Sequence, residues 1–294
     1  MPPVVRLLPF ETLPGPLNMA ADEALLHATS AGGGASLRFY GWLRPTLSLG
    51  YFQPAADRLA DPLLAALPWV RRATGGAALV HHHEVTYALA LPPGKAWRAG
   101  EPWACRFHHI VTAALAGAGA ETRSVPCGQE AKHGEVLCFL HQTPGDLVAG
   151  ASCSLPPWGG GLGWGVEAST GREDRPRPVR LTPHPDPPPQ GGREEERVGP
   201  AKVVGSAQRK QKGALLQHGG ILLARSEFTP RLPGLFELTG VRLTAERVAE
   251  LVAQRFAVDT GWELRPGDWT ADELALRERI AAERYSSADW NAKR

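Results

Sequence analysis

The chain has 294 residues, 43% hydrophobic and 21% charged, with a formal net charge of +2. That is the balance of an ordinary globular protein, long enough to bury a sizeable core without staples. Its basic residues are spread along the chain, which excludes the clustered charge of a nucleic-acid or anionic-membrane binder, and no apolar run approaches the ~18 residues that span a bilayer. The four cysteines, Cys105, Cys127, Cys138 and Cys153, form no CxxC pair. MPPVVRLLPF is too short and proline-broken for a secretory core, so a reducing cytoplasm is expected.

Residues 17–28 (LNMAADEALLHA) place Met19, Ala20, Ala24 and Leu25 on one helical face, with Asn18 as the expected N-cap and Asp22 and Glu23 in the early turns. Residues 36–53 read as two short strands joined at Arg44-Pro45, and 56–67 as a short helix. A strand over 69–72 runs into the glycines of RRATGGAALVHHHE, and EVTYALAL (84–91) alternates as another. An amphipathic helix follows over about 101–116. DLVAG (146–150) and AKVVG (201–205) read as paired strands, and ALLQHGGILLA (214–224) as a further one. Helices close the chain at 244–257, with Val248, Leu251, Val252 and Phe256 in phase, and at 270–284, where Thr270 and Glu273 form a capping box. Strands first, helices flanking and no βαβ rhythm predict an α+β fold, with a mixed, mainly antiparallel sheet flanked by helices.

Residues 151–200 break this texture, since 19 of the 50 are Pro or Gly. Such a segment buries too little apolar surface to offset its ordering entropy. It is expected to be a disordered insertion at a hairpin tip within a single domain spanning 1–294. A small irregular subdomain packed through Trp158 and Trp164 is the alternative.

Four stretches bear chemistry. HHHE suggests zinc, but a helical metalloprotease motif needs His-Glu-x-x-His, and the second histidine would fall at Tyr87. In a strand, two of the histidines share a face, yet no third protein ligand is nearby in sequence, so no metal site is assigned. Arg71, Arg72, Thr74, Gly75 and Gly76 combine charge with a backbone able to converge N–H groups on an anion or carbonyl, though a plain turn reads the same way. Lys202 precedes the small residues Gly205, Ser206 and Ala207, which leave room for a ligand; a solvated edge lysine is the alternative. Cys138, in EVLCFLH, has the apolar neighbours of an inert cysteine. If 146–150 and 201–205 pair, however, it approaches Lys202, whose ammonium favours a nucleophilic thiolate.

These stretches, in this order, resemble the biotin/lipoate protein ligase superfamily. RRATGGAALVHHHEVTY is similar to its Arg-Arg-x-Thr-Gly-Gly loop with a following histidine, here His81. AKVVGSAQRKQKGALLQHGGILL is similar to its Lys-x-x-Gly-Ser-Ala-Gln signature ending in Gln-His-Gly, here at His218. LNMAADEALL, LRFYGWLRPTLSLGYFQ and the closing SSADWNAKR also match, whereas Ala77, Ala78 and His82 depart from the family pattern. The resemblance implies one catalytic domain of the biotin/lipoate ligase type. It is nearest the Gram-positive-type octanoyltransferases, in which a Cys-Phe dipeptide, here Cys138-Phe139, carries the acyl thioester.

That resemblance implies Cys138 and Lys202 as catalytic, with Arg71, Arg72, Thr74, Gly75, Gly76, His81, Gly205, Ser206, Ala207 and His218 binding substrate. It implies a monomer with octanoyl-acyl carrier protein as donor and no cofactor. The acceptor would be a lipoyl-domain protein, such as glycine cleavage H protein or the acyltransferase subunit of a 2-oxoacid dehydrogenase. Two alternatives stay open: an ATP- and Mg-dependent lipoate ligase working through an acyl-adenylate, and an inactive homologue that only binds lipoyl domains.

Overall fold

The structure, a computed structural model, describes residues 2–126, 136–150 and 199–294. In chain order these form β1 (Val4–Leu7), β2 (Glu11–Leu13), α1 (Gly15–Ser30), β3 (Ala35–Trp42), β4 (Thr46–Leu49) and α2 (Pro62–Ala65). Then come β5 (Trp69–Arg71), β6 (Leu79–His81), β7 (Glu84–Leu91), α3 (Trp103–Ala116), β8 (Thr122–Ser124) and β9 (Leu147–Ala149). The remainder is β10 (Ala201–Gln211), β11 (Ala214–Leu222), α4 (Leu235–Thr239), α5 (Ala245–Thr260), β12 (Glu263–Pro266), α6 (Ala271–Ile280) and α7 (Ala288–Asn291).

A large sheet runs in the order β12-β1-β3-β7-β11-β10-β9-β8, with β2 also pairing with β3. A smaller sheet runs β5-β4-β6. The run from β3 through β7, β11, β10 and β9 to β8 is antiparallel throughout, while β12, β1 and β2 add parallel pairs. The sheet is therefore mixed and mainly antiparallel, as the order of the predicted elements requires.

The period-two alternation of β3 and β7 sets the layers. Leu37 and Phe39 of β3, with Val85, Tyr87 and Leu89 of β7, meet Phe107, Ile110 and Val111 of α3 and Val248, Val252 and Phe256 of α5. Tyr87 stacks on Phe107 with centroids 4.1 Å apart. Tyr40, Ala88 and Ala90 face the other way, against Leu25 and Leu26 of α1. Each large side chain buried in this way is worth about 1.5–3 kcal/mol.

Several boundaries differ from expectation, for physical reasons. α1 starts at Gly15 with Pro14 as its cap residue, so Asn18 lies inside the helix. There its amide donates to the Leu13 and Gly41 carbonyls, at 3.1 and 3.0 Å. Asp22 and Glu23 are buried rather than dipole-facing: Asp22 pairs with Arg38 at 3.2 Å, and Glu23 with Arg284 and Tyr285. The helix expected over 56–67 is split by Pro62 into a 3-10 turn (Ala55–Leu59) and α2. At 270–284, the capping box of Thr270 and Glu273 is present, but the last turn, Ala281–Tyr285, is π-helical. β10 runs six residues past Gly205, so the Gly-Ser-Ala run lies within a strand and not after one.

The expected insertion over 151–200 lies, apart from Gly199 and Pro200, outside the described residues, as do Cys127 and Cys153. Its flanks are described: Ala149 of β9 and Ala201 of β10 are antiparallel register partners.

Candidate active site

The Thr-Gly-Gly loop follows β5, and its shape depends on close backbone approach. Gly76 has φ +93°, a conformation glycine adopts without strain, and a Cβ on Gly50 would overlap the Gly76 carbonyl oxygen. Arg72 holds this arrangement from beneath. Its guanidinium donates to the Ser48 carbonyl and hydroxyl, at 2.9 and 2.7 Å, and to the carbonyls of Gly75 and Ala77, at 3.2 and 2.9 Å. Burial lowers the Arg72 pKa from its usual value, yet the side chain lines the cleft.

Cys138 reaches the loop by backbone pairing. Leu137 bridges Ala78 in parallel, the Cys138 N–H donates to the Ala78 carbonyl at 2.7 Å, and a short 3-10 turn (Cys138–Leu140) follows. From the other side comes Lys202 of β10, 4% exposed, with Nζ 3.5 Å from Cys138 Sγ and 3.4 Å from the Cys138 carbonyl. Its charge is balanced by Asp146, whose Oδ2 lies 2.8 Å from Nζ and also accepts from the Thr143 N–H and hydroxyl. Burial opposes the Lys202 charge, but the Cys138 sulfur and the Asp146 carboxylate outweigh it and hold the pKa above the ordinary lysine value.

The three-residue spacing from Lys202 to Gly205 now has a cause. A Cβ on Gly205 would stand 2.7 Å from Lys202 Cε and 3.0 Å from Nζ, so a larger residue there would push the lysine's end away from Cys138. Gly205 opposes Gly220 across the β10–β11 ladder, and Ser206 opposes Gly219. A Cβ on Gly219 would come within 2.5 Å of the Gly205 carbonyl oxygen. Two strands of small residues thus form one wall of an open cleft of about 480 Å³, counting the space continuous with solvent, with Met19, Leu79 and Phe139 supplying apolar surface.

Two histidines complete the lining, each fixed by a carboxylate. His81 has Nδ1 2.5 Å from Glu84 Oε1 and Nε2 2.7 Å from Ser48 Oγ, and its ring stacks on Trp42 at 3.6 Å. Burial lowers its pKa below the usual imidazole value in spite of Glu84. His218 has Nδ1 2.8 Å from Asp22 Oδ2 and Nε2 2.7 Å from Thr74 Oγ1. Because a carboxylate only accepts, Nδ1 carries the proton in both rings.

Of the residues singled out from sequence, Cys138, Arg72, Gly75, Gly76, His81, Gly205, Ser206, Ala207 and His218 line this one cleft. Lys202 touches it through Cys138, and Thr74 through His218. Arg71 is not brought there. Its guanidinium donates to the carbonyls of Asn291, Gly50 and Gln53, at 2.8, 3.0 and 2.6 Å, tying α7 to the small sheet. Adjacent strand residues point to opposite faces, so only one arginine of the pair can face the cleft. Asp146, Asp22, Glu84 and Ser48 were not read from sequence as site residues. Asp146, Asp22 and Ser48 act through partners distant in the chain, which no local pattern reveals, whereas Glu84 meets His81 only three residues away.

The sequence pattern of the lipoyl protein ligase A/B catalytic domain matches residues 14–154. The octanoyltransferase LipM of Kyrpidia tusciae is 31% identical, with 94% of each chain covered. That of Brevibacillus brevis is 27% identical over 98% of this chain and 99% of its own. Among solved structures, a lipoate-protein ligase A bound with ATP superposes with a TM-score of 0.63 at 17% identity, covering 99% of both chains. The bipartite lipoate protein ligase of Thermoplasma acidophilum, solved with its lipoyl domain, gives 0.63 at 18%, covering 99% of this chain and 96% of its own. Likeness at that identity speaks for the fold; the full-length relatives decide the family, and the chain belongs to the lipoyl protein ligase A/B family, alongside the LipM octanoyltransferases.

Proposed function

We propose that the protein is an octanoyltransferase of protein lipoylation, moving an octanoyl group through a thioester on Cys138 to a lysine of a lipoyl-domain protein. The donor in this reading is octanoyl-acyl carrier protein. The acceptor is a protein of the glycine cleavage H or 2-oxoacid dehydrogenase acyltransferase kind. The observation that carries it is the 3.5 Å contact between Cys138 Sγ and Lys202 Nζ beside the cleft.

The Cys138 thiolate attacks the donor's thioester carbonyl, the carrier sulfur leaves as thiolate, and the acyl group rests on Cys138. The neutral acceptor amine then attacks the same carbonyl, Cys138 departs as thiolate, and the amine's proton passes to solvent, which supplies one to the carrier thiolate. Lys202, held charged by Asp146, acts as a fixed cation beside the sulfur and the developing oxyanion and not as a base. Exchange between thioesters is nearly thermoneutral and thioester to amide is downhill, so the reaction draws on no ATP. Arg72, Gly75 and Gly76 shape the cleft wall against which the acyl chain lies. Among the described residues no helix is long and apolar enough to cross a membrane, and the cytoplasm is the compartment this reading assigns.

Intact mass measured after incubation with octanoyl-acyl carrier protein tests the reading. A +octanoyl adduct mapped to Cys138 and absent from Cys138→Ala is expected. Full transfer by Cys138→Ala, above all with a strict need for ATP and magnesium, would overturn it in favour of a ligase.

A further inference from the structure

Of the three consecutive histidines, the cleft uses only the first. His82 and His83 lie between β6 and β7, their rings stacked at 3.7 Å with an interplanar angle of 26°. The backbone here is anchored, because the His83 carbonyl accepts from the Leu223 and Ala224 N–H groups at 2.9 and 3.2 Å. Those bonds bring in the segment after β11, and with it Ser226 and Glu227. Ser226 Oγ stands 3.0 Å from His82 Nδ1, and Glu227 Oε2 stands 3.6 Å from the same nitrogen. One donor atom from each of His82, His83 and Glu227 lies within 4.8 Å of the other two. The third ligand that the sequence around HHHE lacks therefore arrives from a distant part of the chain.

The geometry points to a peripheral site for a zinc-class divalent cation, held by one ring nitrogen each of His82 and His83 and one carboxylate oxygen of Glu227. Two imidazoles and a carboxylate are a donor set that zinc accepts with water in the fourth position. Donors about 2.0 Å from a tetrahedral ion stand about 3.3 Å apart, close to the 3.6 Å already present. The remaining closure needs only side-chain rotation, since His83 and Glu227 are exposed. Ser226 Oγ sits 3.0 Å from that same His82 Nδ1, and a bound cation would displace its hydrogen bond. Nitrogen donors select against magnesium, and the absence of sulfur from the set distinguishes the site from one built on Cys138. Occupancy would clasp the β6–β7 connection to the chain after β11. Those strands carry His81 and His218, so the cation would brace the cleft from behind and take no part in its chemistry.

Titration with cobalt(II), a spectroscopic stand-in for zinc, tests the site. One equivalent should bind with visible d–d bands and no thiolate-to-metal charge-transfer band, and excess zinc should displace it. His83→Ala and Glu227→Gln should each weaken binding by about tenfold or more, the lower end of what loss of an outer partner costs. Cys138→Ala should bind as the parent does. Thermal unfolding in chelator verifies that both surface variants are folded. Absence of binding at micromolar metal, a thiolate band, or unchanged affinity in His83→Ala and Glu227→Gln would overturn the assignment.

Discussion

Lys202 is surrounded by three different kinds of partner: a carboxylate at 2.8 Å, a thiol at 3.5 Å and the apolar interior. Removing one partner of a buried ion pair strands the other, at about 3–5 kcal/mol. Asp146→Asn should therefore cost stability of that order in denaturant unfolding, as well as slow acyl-adduct formation. Lys202→Met removes the cation and in turn strands the buried Asp146 carboxylate, so a stability loss of the same order accompanies it. Its expected signature is adduct formation slowed by about a hundredfold or more, read by intact mass against time, the loss typical of one oxyanion-stabilising group. Lys202 stood out in the sequence through a long motif, and Cys138 only through a Cys-Phe dipeptide. Asp146 did not, because an aspartate opening a short strand is commonplace until its partner 56 positions on is seen to fold back over Gly205.

At the scale of elements, the β10–β11 hairpin is the part most constrained by what it carries. Gly205 and Gly219 are required by contacts and not by positive φ, so substitution acts through crowding. Gly205→Ala pushes on the lysine's flexible end: activity should fall steeply, while unfolding shifts by no more than the ~1–3 kcal/mol of local overpacking. Gly219→Ala meets a backbone oxygen and the Tyr87 ring and should lose stability first, visible as a lower thermal midpoint. The elements themselves were well read where period and length agreed, as in β7, α5 and α6. They were misread where burial overrode a local rule. Asn18 looked like a cap because caps are the usual use of asparagine before a helix, but Pro14 and Pro16 start the helix earlier and the side chain is spent on two carbonyls. The paired arginines show the same limit: the motif identifies both, while strand geometry sends Arg72 to the loop and Arg71 to Asn291.

For the molecule as a whole, acid sensitivity follows from imidazoles buried without charge. Burial lowers the pKa of both His81 and His108. In the unfolded chain such rings take up protons near pH 6.5, and in the folded one they resist, so their contribution is full above that value and is lost as pH falls below it. Unfolding free energy should decline between about pH 6.5 and pH 5, and His108→Phe should flatten that decline. The ring's only hydrogen bond among the described residues, 2.6 Å to the Gly145 carbonyl, makes some baseline loss part of the same measurement.

The pairing of Ala149 with Ala201 has a topological consequence. The peptide link between β9 and β10 is one of many connections holding the two halves together, since β11 of the second half also zips along β7 of the first. A chain severed between those two residues should reassociate as two fragments. Cys138 would then lie on one and Lys202 on the other, so appearance of the acyl adduct on mixing would report sheet reassembly directly.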